Sequence, residues 1–138
     1  LDLFQHYVGS ITGVYAQALD RIIPRDTASA LLTFECGASA YIGNVMVTHD
    51  NRMGNVFGSK GWVKMTSPTS VQIAMRGEEP KTMEVDPVDP IRANMEGFAD
   101  AIAGTAPYKF TNQQMIHDVA ALDAMALSLK SGKREPVA

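Results

Sequence analysis

Asp26-Thr27-Ala28-Ser29-Ala30-Leu31-Leu32-Thr33-Phe34-Glu35-Cys36-Gly37-Ala38-Ser39-Ala40-Tyr41-Ile42-Gly43-Asn44-Val45-Met46-Val47 decides the fold of this chain. Its side chains alternate with a period of two. Ala28, Ala30, Leu32 and Phe34 fall on one side, and Leu31, flanked by Ser29 and Thr33, falls on the other. Cys36-Gly37 fits a two-residue hairpin loop in which glycine supplies a positive φ, so 26–35 and 38–47 read as antiparallel neighbours. In the return strand Ala40, Ile42 and Met46 oppose Tyr41, Val45 and Val47. Both faces are therefore apolar enough to be covered, whereas a one-sided antiparallel sheet keeps its outer face polar. The favoured reading is a sheet-to-sheet contact between copies of the chain. Sheet twist with incidental surface apolarity is the alternative.

Working outward, Ile11 to Leu19 is a further extended segment, linked through Asp20-Arg21-Ile22-Ile23-Pro24-Arg25. Downstream, Arg52 to Ser59 and Gly61 to Thr66 pair around Gly58 and Gly61, and Val71 to Met75 and Lys81 to Val85 follow. About six to seven consecutive strands with short links predict one meandering, mainly antiparallel open sheet over 11–85.

The period changes to 3.6 at both ends. Leu1, Phe4 and Val8 share a helical face that stops at Gly9, and no capping residue precedes Leu1. Residues 1–9 thus read as the end of a truncated helix, and the chain as a piece of a longer polypeptide. Asp89 is a helix N-cap and Pro90 a first helical residue, with Ile91, Met95, Phe98 and Ile102 on one face until Gly104. Thr111 and Gln114 form a capping-box pair before a stripe of Met115, Val119, Leu122, Ala126 and Leu129 that runs on to Gly132. These two helices, over 90–131, are expected to cover one face of the sheet. The expected class is α+β: an open, mainly antiparallel sheet with helices on one face, in a single domain over 1–138.

Composition bounds the function. A chain of 138 residues buries roughly 65–70% of its unfolded surface. Its 46% apolar and 20% charged residues suit a globular protein. The net charge of −3, with scattered Lys and Arg, leaves no basic footprint for nucleic acid. No apolar run approaches the ~20 residues of a membrane span, and no signal peptide is visible. The single Cys36 excludes an internal disulfide and a Cys-cluster metal site, and suits the cytoplasm.

Motifs for chemistry are scarce. No G-x-G-x-x-G follows a strand, and neither a P-loop, an H-E-x-x-H nor a nucleophile elbow occurs. Gly54, Gly58 and Gly61 punctuate a hairpin. His6 and His117 read as structural or solvated, Cys36 as a turn residue, and the eight methionines as packing. Tyr41 and Trp62 read as packing rather than sugar platforms. No catalytic residue and no metal ligand is assigned. The polar run Val47-Thr48-His49-Asp50-Asn51-Arg52 stands apart. It gathers hydroxyl, imidazole, carboxylate, amide and guanidinium groups, and is either a solvated loop or one wall of a polar ligand site. Strand alternation would set Asn44, Thr48 and Asp50 opposite His49.

Taken in order, these segments resemble the C-terminal domain of the Gfo/Idh/MocA oxidoreductases. The likeness rests on Leu1 to Gly9 leading into Ile11-Thr12-Gly13-Val14-Tyr15-Ala16, and on Asp26 to Phe34 followed by Gly37-Ala38-Ser39-Ala40. It continues in Arg52 to Gly61, in Phe98-Ala99-Asp100-Ala101-Ile102, and in the last helix with Ser128, Gly132 and a short extended tail.

The resemblance implies a parent in which a separate nucleotide domain binds NAD or NADP, with hydride transfer to or from a sugar, polyol or related hydroxyl compound. The family's E-K-P and D-x-x-x-H motifs are absent, and its catalytic His would fall just before Leu1. The chain alone is then expected to be inactive and to bind neither cofactor. The resemblance also implies substrate contact from Thr48, His49, Asp50 and Arg52. Thr48 and Asp50 would hydrogen-bond hydroxyls, and Arg52 would suit a carboxylate or phosphate. A homodimer or tetramer through the open sheet face is expected. The alternative function is a non-catalytic scaffold for assembly or partner binding.

Overall fold

The structure, a computed structural model, describes residues 1–49 and 54–138. Its order is α1 (Asp2–Val8), β1 (Ile11–Leu19), β2 (Thr27–Phe34), β3 (Ser39–Val45), β4 (Gly54–Gly58), β5 (Gly61–Ser67), β6 (Ser70–Met75), β7 (Lys81–Glu84), α2 (Pro90–Ala103), α3 (Asn112–Ser131) and β8 (Glu135–Pro136). The class is α+β with open antiparallel sheets, as expected. Instead of one ladder, the described strands form two four-stranded sheets, ordered β3-β2-β1-β8 and β4-β5-β6-β7. The fold divides into two compact units, Leu1–Thr48 with Tyr108–Ala138, and His49–Pro107.

In the first unit the sheet buries one face beneath α3. A β-bulge sets this up: Ile11 pairs with Phe34 but Gly13 already pairs with Thr33, so Thr12 is the extra residue. The bulge shifts the alternation so that Ile11, Val14 and Ala16 all turn inward, joining Ala30, Leu32 and Phe34 from β2. Ala121 and Ala124 of α3 close this core, and Leu1, Phe4 and Val8 of α1 pack at its margin.

The β2–β3 hairpin has a three-residue loop, not two. Phe34 N donates to Ala38 O at 3.0 Å, Gly37 N donates to Phe34 O at 3.0 Å, and Gly37 takes φ 84°. A turn followed by a left-handed residue matches the right-handed strand twist.

Helix α3 starts on the expected capping box and stops at Gly132 with φ 66°. Its inward face differs from the expected stripe. Ala121, Ala124 and Ser128 are buried, while Met115, Val119, Leu122 and Leu129 are exposed. Small side chains allow the helix backbone to approach β1 closely, so closeness rather than side-chain volume fixes the packed face.

The second unit is a meander with tight links. Ser59-Lys60 joins Gly58 to its partner Gly61, and a Cβ on Gly61 would overlap the Ala74 carbonyl. Val56, Val63 and Ile73 align across three strands on one face, as Phe57, Trp62 and Ala74 do on the other. Helix α2 has the predicted bounds. The Asp89 carboxylate accepts from Ile91 N and Arg92 N, and Gly104 is left-handed at φ 72°. No α2 residue is buried, and Ile91, Met95 and Ile102 are exposed, against the expectation that this helix covers a sheet. An amphipathic pattern specifies a stripe to bury, not the surface that meets it. Among the described residues, no helix is long and apolar enough to cross a membrane.

Candidate functional site

The polar segment begins where β3 ends. Met46 N donates to Asp26 O at 2.7 Å, extending the ladder one step beyond Val45. Thr48 and His49 follow, both exposed. Thr48 closes the first unit and His49 opens the second. Asp50 and Arg52, the other two candidate residues, lie outside the described residues.

Asp26 fixes the sheet end from which this segment leaves. Its carboxylate is fully buried. Oδ2 accepts from Ile22 N at 2.6 Å and Ile23 N at 3.2 Å, and Oδ1 accepts from Arg21 N and the Thr27 hydroxyl, at 3.3 and 3.2 Å. The Ile22 N–H, the largest influence, holds the carboxyl below its ordinary value of 3.8. Burial opposes it, and the bonds from Ile23, Thr27 and Arg21 reinforce it. In the same loop Arg25 is left-handed at φ 57°, and Asp20 Oδ1 accepts its N–H at 2.6 Å. Sequence reasoning treated this stretch only as a link. The signal available was an acid immediately before a strand, able to gather loop N–H groups.

The uncovered face of the first sheet is organised in rows set by strand register. Tyr15, Leu31 and Tyr41 align across β1, β2 and β3, and the neighbouring row is Gly13, Thr33 and Ser39. Leu31 is 54% exposed and Tyr41 66%, so this row faces outward. Tyr41 bends over Gly43, and Tyr15 Oη accepts from the Gln17 amide at 3.3 Å. Arg134 crosses the Gly13 row and donates from Nη2 to Thr33 Oγ1 at 2.8 Å. The sequence reading did not single out Arg134, because the contact spans a separation of 101 residues.

On the helix side, His117 Nε2 meets Ile11 O at 3.1 Å, donating when the proton is on Nε2. The side chains of Gln5 and Asp118 are hydrogen-bonded, tying α1 to α3. Of the two roles read for His117, structural or solvated, this contact gives it the structural one. His6 lies edge-on against Tyr7, with ring centroids 5.1 Å apart. Cys36 is an exposed turn residue. Among the described residues, no group of three or more His, Cys, Asp or Glu is placed to hold a metal ion.

The two long helix N-termini do not fit a dinucleotide phosphate. The Asp89 carboxylate already occupies that of α2, and Thr111 with Gln114 occupies that of α3. In the second unit Phe57, Trp62, Met75, Arg76 and Glu78 border a shallow open cleft.

No protein-family profile matches the chain, and no curated protein does. Solved structures do. An oxidoreductase from Agrobacterium radiobacter, in complex with NAD+, L-tartaric acid and magnesium, superposes with a TM-score of 0.82 at 14% identity. That match covers 99% of this chain and 46% of the other. An oxidoreductase from Desulfitobacterium hafniense described as NADPH-dependent gives 0.84 at 18% identity, over 99% of this chain and 45% of that one. The UDP-N-acetylglucosamine 3-dehydrogenase of Acidithiobacillus ferrooxidans gives 0.81 at 19% identity, over 94% and 44%. This chain therefore shares its fold with just under half the length of each of these oxidoreductases.

Proposed function

We propose that the chain is the substrate-side and self-association domain of an NAD(P)-dependent oxidoreductase of the Gfo/Idh/MocA type, acting by hydride transfer on a sugar, polyol or related hydroxyl compound. The observation that carries the reading is the fold match: it spans nearly all of this chain and less than half of enzymes whose descriptions name NAD+ or NADPH. The first of these also holds a hydroxy acid, L-tartaric acid.

The N-termini of both long helices are capped by their own side chains, so neither offers free N–H groups to a dinucleotide phosphate. The cofactor belongs to a separate nucleotide domain of the parent. What this chain supplies is the wall. Thr48 and Asp50 hydrogen-bond substrate hydroxyls, His49 adds an imidazole, and Arg52 pairs with a carboxylate or phosphate. Asp26 holds the end of β3 and β2 in register at the point where that wall departs. The open face of the first sheet, with Leu31 and Tyr41 outward, supports assembly into a homodimer or tetramer. The one cysteine, exposed in a turn, suits the cytoplasm.

The test uses the polypeptide of the complete reading frame with NAD+ or NADP+ and a panel of sugars, polyols and hydroxy acids, following nicotinamide reduction. Turnover is expected with at least one compound. Thr48→Ala and Arg52→Ala should each raise KM by about 10-fold, as removal of one hydrogen bond does, and leave cofactor affinity unchanged. No turnover and no nucleotide binding would favour the scaffold reading instead.

A further inference from the structure

We infer that Arg134 is the partner-selecting residue of the open face, its guanidinium stacking on a tyrosine ring of a second copy of the chain. This rests on the self-association reading above and names the contact that makes it specific. Gly13 turns toward the open face, yet it is buried. A Cβ there would overlap the Arg134 guanidinium, which lies across the strand at that point. The absence of a side chain at 13 therefore makes room for a planar cation laid flat on the sheet. Thr33 Oγ1 pins one end of it at 2.8 Å.

Arg134 makes no ion pair among the described residues. One of its five N–H donors is used at Thr33, and the plane of the guanidinium opposite Gly13 points away from the sheet. The rows beside it hold hydroxyls, Leu31 and two tyrosines, and none of the residues in register there is an acid. Two rows that hold a cation and aromatic rings but no acid are complementary to a second copy through cation–π stacking rather than through ion pairs. Both tyrosines are already turned away from the guanidinium of their own copy, Tyr41 over Gly43 and Tyr15 toward Gln17. Their rings are thus left to be met by a second copy.

Sedimentation equilibrium on the full chain tests this with three variants. Wild type should self-associate, and Tyr41→Lys should abolish it. Arg134→Ala and Gly13→Ala should each weaken it by about 3- to 30-fold, the range a cation–π contact supplies. Gly13→Ala keeps the charge and displaces only the guanidinium, so a loss there reports position and not net charge. Should both variants associate as wild type does while Tyr41→Lys is monomeric, Arg134 is idle and the self-association reading stands. A monomeric wild type would overturn both and leave the face to a different occupant.

Discussion

Ser128 Oγ lies 2.8 Å from the backbone nitrogen of Ala16 and accepts its N–H, while the Ser128 hydroxyl donates to Lys133 O at 2.5 Å. Strand β8 pairs only with Gly13 and Val14, so the edge of β1 runs on past its strand partner. A helix side chain completes the ladder there, in a site closed to water. Ser128→Ala should cost about 1–3 kcal/mol, because it leaves a buried N–H without an acceptor. Urea unfolding should show the midpoint fall with an unchanged slope.

Asp26 gives the fold a defined acid sensitivity. Its carboxyl titrates below the ordinary value of 3.8, chiefly through the Ile22 N–H, so the folded chain binds fewer protons than the unfolded one between those two values. The stability it contributes is complete above the unfolded value and is lost as pH falls through the lower folded value. Asp26→Asn should lower the melting temperature at neutral pH and flatten the further decline toward pH ~3, measured by circular dichroism.

Gly37 carries the turn that sets the β2–β3 register. Its φ of 84° suits glycine, and nothing lies within 4 Å of where a Cβ would stand. Gly37→Ala should therefore cost about 1 kcal/mol through the backbone alone. Gly37→Asn should cost less, since asparagine visits the left-handed region more readily. Parallel thermal melts of the two variants check the order.

The open face predicts a separation of assembly from stability. Val45 pairs with Thr27 in the row beyond Gln17 and Ser29, and is 46% exposed. Val45→Lys should weaken self-association by about 10-fold or more, because an ammonium loses hydration if that face is covered. Its unfolding free energy, extrapolated to low concentration, should change by less than the roughly 0.5 kcal/mol typical of surface substitutions. Light scattering over a concentration series reads the first effect and calorimetry the second.

Much of the fold was legible because alternation and capping are local signals. Ile11–Leu19 is a strand at the predicted bounds, and Asp89, Gly104, Thr111 and Gly132 bound their helices as read. The inward face of α3 was not legible. Hydropathy favours Met115, Val119 and Leu122, whereas close approach to β1 favours Ala121, Ala124 and Ser128. The bulge at Thr12 was equally hidden, since one inserted residue changes which side chains turn inward without leaving a composition signal. Of the candidate wall, Thr48 and His49 are described and exposed, while Asp50 and Arg52 fall outside the described residues. Arg134 escaped the sequence reading for a different reason. It acts on Thr33 and Gly13, which only the completed sheet brings near it.

The central proposal is that this chain is the substrate-side part of a nicotinamide-dependent enzyme whose nucleotide site lies in a separate domain. Its most direct test is a fluorescence titration with NADH and NADPH of two samples, the complete polypeptide and residues 1–138 alone. The account predicts saturable binding of at least one nucleotide by the complete polypeptide and none by the chain alone. Binding by neither sample, or binding by the isolated chain, would contradict it.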